Sequence, residues 1–142
     1  MADFTPPTES RHGVLKNKLP LELLARKADN FLNTTFANLP SVQEMEEPGR
    51  LEICAADARA RGIADGDAVR VFNRRGEMLL KARVDGKVQP GVVSATLNWA
   101  KAAPGFQSIN SLTSQKLTDM GNAATFYSVL VEVELVPRKS NR

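Results

Sequence analysis

The chain has 142 residues, 42% hydrophobic and 25% charged, with a net charge of +3 from 19 basic and 16 acidic residues. That composition fits one soluble domain with a real core, its apolar runs are too short to cross a bilayer, and its scattered cations do not make a nucleic-acid groove. Cys54 is the only cysteine and His12 the only histidine, which excludes an internal disulfide and makes a poor case for a zinc site or a thiol enzyme.

Residues 1–18, "MADFTPPTESRHGVLKNK", are polar, carry Pro6-Pro7 and show little periodicity, so they read as a flexible lead-in or linker. No basic-then-apolar segment opens them, which points to a cytoplasmic protein. The folded body is expected over 19–137, followed by the polar tail 138–142.

"LPLELLA" (19–25) reads as a first strand, with Pro20 confined to its start or to an edge. Residues 26–49, opening "RKADNFLNTTFANL", have neither a helical nor a strand period and read as a long polar loop. "RLEIC" (50–54) is a short strand, and "ADARARG" (56–62) is a short helix. Asp57 in its first turn suits the positive end of the helix dipole, and Gly62 ends it, with Ile63 packing back. Asp65-Gly66 makes a turn. "AVRVFN" (68–73) and "EMLLKARV" (77–84) alternate and flank the tight reversal 74–76. Met78, Leu80, Ala82 and Val84 share one face of the second, with Leu79 the exception. After the turn 85–91, "VVSATLNW" (92–99) is a strand. "YSVLVEVEL" (127–135) is the last, with Val129, Val131, Val133 and Leu135 inward.

At least six short strands and one clear helix make a mainly β barrel or sandwich. Two long segments, 26–49 and 98–126, exceed what such a fold needs. Long loops in small domains are often functional. Both are rich in Asn, Ser and Thr with single aromatics, which suits a polar, planar ligand. No carboxylate pair, Ser-His-Asp set or phosphate-cradling glycine motif can be assembled.

The stretch 56–93 resembles a known module through Asp57, Ala58, Gly62, Ile63, Asp65, Gly66, Asp67, Val69, Val71, Arg75, Gly76, Val84, Pro90, Gly91 and Val93. "INSLTS" (109–114) and "ATFYSVLVEVE" (124–134) match its later blocks in order. The module is the C-terminal dinucleotide-binding domain of the molybdopterin oxidoreductases, the dimethyl sulfoxide reductase and formate dehydrogenase family. Residues 26–40 look most like the formate dehydrogenase-like alpha subunits. The resemblance implies a double-psi β-barrel that closes over a bis(molybdopterin guanine dinucleotide) cofactor carrying molybdenum or tungsten. It implies cofactor contacts from Arg26, Lys27, Ala28, Asp29, Asn30 and Leu32. It also implies them from Asn98, Trp99, Asn110, Phe126 and Tyr127. Tyr127 stands where many members have lysine, and Cys54 where many have asparagine. The metal ligand, any iron–sulfur cysteines and most substrate contacts would lie in the remaining catalytic domains. The chain alone is therefore expected not to turn over, and neither nucleic acid nor membrane is an expected partner. The alternative is a free-standing barrel acting as a protein-interaction module without cofactor.

Overall fold

A computed structural model describes residues 3, 5–96 and 107–137. Alternation of apolar and polar residues builds its wall. The strands are β1 (Leu21–Arg26), β2 (Arg50–Ile53), β3 (Ala68–Phe72), β4 (Glu77–Arg83), β5 (Val92–Thr96) and β6 (Leu130–Leu135). They close into a ring in the order β1-β5-β2-β4-β3-β6. Two neighbouring pairs are parallel, β1 with β5 and β2 with β4, and the other four contacts are antiparallel.

The stagger is steep. Leu51 stands level with both Ala95 and Ala82, and Arg26 with Thr96. Yet β6 meets β1 at the other end of that strand, with Leu21 and Glu22 against Val131 and Leu130. Strong tilt and shear of this kind are what closing a six-stranded sheet demands. The closed ring with two parallel pairs is the double-psi β-barrel.

The interior is filled. Leu23, Leu51, Ile53, Val69, Val71, Met78, Ala82, Val93, Val131 and Val133 all lie within one core cluster. β4 shows the period of two cleanly, with Met78, Leu80 and Ala82 buried and Leu79 exposed. Leu135 departs from expectation. It pairs with the inward Val69, but it sits at the mouth of the ring and stays 41% exposed.

Among the described residues, two α-helices flank the wall. α1 (Pro40–Glu46) lies in the connection from β1 to β2, and α2 (Ala55–Ala60) in that from β2 to β3. The second matches the expected helix. Cys54 caps it: its thiol accepts from the Asp57 N–H at 3.4 Å and donates to the Asp57 carboxylate at 3.1 Å. The sulfur thus does the work of the usual asparagine cap. Gly62 takes a left-handed φ of 65°, and the Ile63 N–H closes onto the Ala58 carbonyl at 2.9 Å. α1 was not expected. Proline at its first position is a start signal, but Val42 is its one buried residue, so no apolar period marks it.

Among the described residues, no helix is long and apolar enough to cross a membrane. The tail 138–142 lies outside the described residues. The fold predicts opposite costs for adjacent leucines of β4. Leu80→Ala should lower unfolding free energy by about 2–4 kcal/mol and Leu79→Ala by less than about 1, read from urea denaturation.

Candidate functional site

Strand direction decides where the two long segments emerge. β1, β5 and β3 run one way, and β2, β4 and β6 the other. The connections 27–49, 73–76 and 97–129 therefore all leave the same end of the ring. Those at 54–67 and 84–91 leave the opposite end. The tops of β1, β5 and β2 carry the first long segment. The second returns over the β3–β4 hairpin and into β6.

The first arc begins at Arg26, the last residue of β1. Its guanidinium donates to the Glu52 carboxylate at 3.2 Å and lies 3.9 Å from that of Asp29. Glu52 is a buried acid, only 8% exposed, so Arg26 neutralises it in place. This occupies the cation that the resemblance assigns to a ligand. Asn30 is committed too, since its side-chain amide donates to Glu46 of α1 at 2.7 Å and its backbone N–H meets the same oxygen. α1 thus fastens the start of the loop to the barrel. Lys27, Asp29 and Asn30 are exposed and Ala28 is half-buried. Lys27 forms no ion pair with a described residue.

The tip of this arc is a tight reversal. Leu32 bridges Thr35, and Asn33 and Phe36 take left-handed φ values of 53° and 68°. Such a φ is uncommon for a bulky residue. Buried Ala37 and the Leu39 N–H on the Phe36 carbonyl hold it, leaving the Leu32 and Phe36 side chains exposed.

The second arc is fixed more rigidly. A 3-10 turn over Ile109–Ser111 buries Ile109 and then Leu112, while Asn110 faces outward. Three contacts from the β3–β4 hairpin hold it. The Asn73 side-chain amide and the Arg75 Nε–H each donate to the Leu112 carbonyl at 2.9 Å. Gly76 packs so close that a Cβ there would lie 2.9 Å from the Ser111 carbonyl oxygen. Upstream, the Gln107 side chain accepts from the Leu79 N–H at 2.8 Å. Arg75 also makes a forked pair with Glu9, whose carboxylate further accepts from the Leu130 N–H at 3.3 Å. Burial would push the Glu9 carboxyl up. The hydrogen bonds from Arg75 and Leu130, with the charges of Arg75 and Arg74, hold it below its usual value instead.

Beside Asn110 opens a groove of about 680 Å³, lined by Arg74, Arg75, Ser111, Thr113, Ser114 and Lys116 among others. Its size suits a nucleotide-sized ligand. Arg74 and Lys116 reach it exposed and form no salt bridge among the described residues. A second groove of about 410 Å³ shares Thr8, Glu9, Ser114 and Lys116 with it and extends to Thr125 and Ser128. Next to these, Phe126 and Tyr127 pack with ring centroids 4.2 Å apart and planes tilted by 44°.

The site residues expected from sequence therefore fall on two arcs of one rim. Arg26, Lys27, Ala28, Asp29, Asn30 and Leu32 lie on one, and Asn110, Phe126 and Tyr127 on the other. Asn98 and Trp99 lie outside the described residues. Among the described residues, no hydrogen bond joins the arcs. Asn73 and Glu9 were not singled out, and Arg75 and Gly76 entered only through the resemblance, not as site residues. Asn-Arg-Arg-Gly (73–76) signals a turn, but nothing local shows that it anchors a segment far along the chain.

A closed barrel with a filled interior has no room for a ligand within, which leaves its ends, one of them polar and partly cationic. The family model described as the Molydopterin dinucleotide binding domain matches residues 21–130, and the chain belongs to that family. Its cofactor is molybdopterin guanine dinucleotide. The probable oxidoreductase YoaE of Bacillus subtilis (strain 168) is 41% identical over 123 residues, which is 87% of this chain and 18% of that protein. Dimethyl sulfoxide reductase DmsA of Escherichia coli (strain K12) is 34% identical over 140 residues, 94% of this chain and 17% of that protein. The F420-dependent formate dehydrogenase subunit alpha of Methanocaldococcus jannaschii is 33% identical over 95 residues, 67% of this chain and 13% of that protein. The chain thus spans less than a fifth of the length of these relatives. Acetylene hydratase from Pelobacter acetylenicus has the same fold, with a TM-score of 0.78 at 14% identity, over 94% of this chain and 21% of that one.

The residues present fit the cofactor. A polyanionic dinucleotide needs cations without carboxylate partners and neutral donors for its rings. Arg74 and Lys116, which form no salt bridge among the described residues, would supply the first at the groove, and Asn110 with the neighbouring hydroxyls the second.

Two outcomes test this geometry. Gly76→Ala should force the 109–112 turn off the hairpin, costing about 1–3 kcal/mol in denaturant unfolding and raising amide exchange at 109–112 above that of β2. Glu9 and Glu22 are both held below the ordinary glutamate range, Glu22 by hydrogen bonds from Arg11 against its own burial. Their contribution to stability is complete above the unfolded-state glutamate pKa and is lost as pH falls through the lower folded values. The urea midpoint should therefore fall between about pH 5 and about pH 3, and fall less in Glu9→Gln.

Proposed function

We propose that this barrel is the C-terminal cofactor-binding domain of a larger formate dehydrogenase-like molybdenum or tungsten oxidoreductase. It lies over a bis(molybdopterin guanine dinucleotide) and orients it. The observation that carries this reading is topological: the two long polar segments, which a closed barrel does not need, emerge from one end. Resemblance of residues 26–40 to the formate dehydrogenase-like alpha subunits supports the finer assignment.

In this reading Lys27, Ala28, Asp29 and Leu32 present the first arc to the cofactor, and α1 holds it in place through Asn30. Arg26 serves first as the counter-charge of Glu52. Asn110 contributes its side-chain amide on the second arc, with Arg74 and Lys116 nearby for phosphate charge. The bound group supplies the metal and the redox chemistry, and the protein supplies binding, orientation and exclusion of water. Metal ligand, electron-transfer centres and substrate contacts belong to the remaining domains, so the 142-residue chain does not turn over alone.

Exposed apolar residues at the same end speak for a protein neighbour as well. Leu32, Phe36, Leu117, Met120 and Tyr127 are each more than half exposed. Within the proposal they meet the other domains as these close around the cofactor.

In the full-length enzyme, Asn110→Ala and the pair Lys27→Ala/Asn30→Ala should each reduce bound metal and guanine nucleotide per polypeptide severalfold, about 1 kcal/mol or more of binding. Wild-type cofactor content in both variants would remove these arcs from the site.

A further inference from the structure

Residues 5–13 lie against the barrel surface, outside the strands. Two points fasten them. The Arg11 guanidinium and backbone N–H both bind the Glu22 carboxylate on β1, the latter at 2.8 Å. Beyond that, Glu9 takes the forked pair from Arg75. The Glu9 side chain is 14% exposed and that of Arg75 is 29%, so this pair is sheltered from solvent in a way most surface ion pairs are not.

Around these two points, from Pro7 to Gly13, the segment folds tightly. The Gly13 N–H donates to the Ser10 carbonyl at 2.9 Å, and the Ser10 hydroxyl donates to the Pro7 carbonyl at 3.0 Å. A Cβ at Gly13 would lie 2.6 Å from the Thr8 carbonyl oxygen, so only glycine allows this fold-back. Pro6 and Pro7 have fixed φ, which lowers the entropy lost on ordering the segment.

What the strap holds is chemically specific. Arg75 has two ends in use: Nη1 and Nη2 on Glu9, Nε on the Leu112 carbonyl. A guanidinium is a planar fork, so fixing two donors fixes the third. Glu9 therefore orients the bond that seats the turn bearing Asn110. It also neutralises Arg75, which lines the groove next to Arg74 and Lys116. Without the carboxylate, Arg75 would be drawn to any phosphate there and away from Leu112.

We propose that residues 5–13 are a strap that locks the Asn110 turn in place, with Glu9 a positioning residue that acts through Arg75 on the cofactor rim. This rests on the reading that Asn110 faces the cofactor. Its prediction is local. In the cofactor-loaded full-length enzyme, Glu9→Gln should raise amide exchange at 107–113 about tenfold and speed release of guanine nucleotide severalfold, the scale of losing a charge-assisted hydrogen bond. Exchange in β2, and in β4 apart from Leu79, whose N–H donates to Gln107, should not change. Arg75→Lys, which keeps the charge but loses the fork, should behave in the same way.

Wild-type exchange at 107–113 in Glu9→Gln would overturn the proposal, and so would a uniform rise across the barrel with unchanged nucleotide release. Asn110→Ala separates the two layers. If Asn110→Ala speeds release and Glu9→Gln does not, the strap proposal fails and the cofactor reading stands. If Asn110→Ala has no effect on release, the cofactor reading fails and takes the positioning role with it, whatever the exchange at 107–113.

Discussion

Closing six strands into one ring leaves no free sheet edge and no empty interior. Every antiparallel or parallel neighbour is already paired, and side chains such as Leu23, Leu51, Val69, Met78 and Val93 fill the middle. A ligand cannot enter such a barrel, so recognition moves to its ends. Strand direction then makes the ends unequal. Both long connections and the short β3–β4 hairpin open at one end, while α2 and a tight turn close the other. The steep stagger spreads that busy end into a broad rim wide enough for two separate arcs.

The two arcs are anchored by different means. The first depends on charge: Arg26 on buried Glu52, Asn30 on Glu46, and α1 tied to the wall through Glu47 with Arg50 and Arg83. Much of its positive charge is consumed in holding the structure, so its remaining offer to a ligand is Lys27 and backbone groups. The second depends on packing and a converging hydrogen-bond network. Ile109 and Leu112 are core residues, Gly76 gives clearance, and Asn73 and Arg75 converge on one carbonyl. That leaves Asn110, Arg74 and Lys116 outside this hydrogen-bond network, beside the larger groove. The division is physically reasonable for a dinucleotide, whose phosphates need free cations and whose ring systems need fixed, directional donors.

Sequence patterning revealed the wall of the barrel because apolar residues recur with period two along its strands, and burial follows that period in β1, β3 and β4. The alternation at Met78, Leu80 and Ala82, and again at Val129, Val131 and Val133, is written into consecutive residues. Helix α2 was legible because its stop signal, Gly62, is local. Helix α1 was not, since one buried side chain sets no period. The rim was only half legible. Its polar composition marked it as functional, but which donors are already spent depends on partners far apart in sequence: Arg26 with Glu52, Arg75 with Leu112 and Glu9. No periodicity encodes those pairs. Leu135 shows the same limit in reverse, since alternation places it inward but only the end of the ring decides whether anything covers it.

The central claim is that one end of the barrel, and both arcs of it, faces the cofactor. Hydrogen exchange measured on the full-length enzyme with and without its cofactor tests this most directly. The account predicts protection on binding at 27–38 and at 107–116 together, with the opposite-end connections 54–67 and 84–91 unchanged. Protection confined to the opposite end, or absent from both arcs, would contradict it.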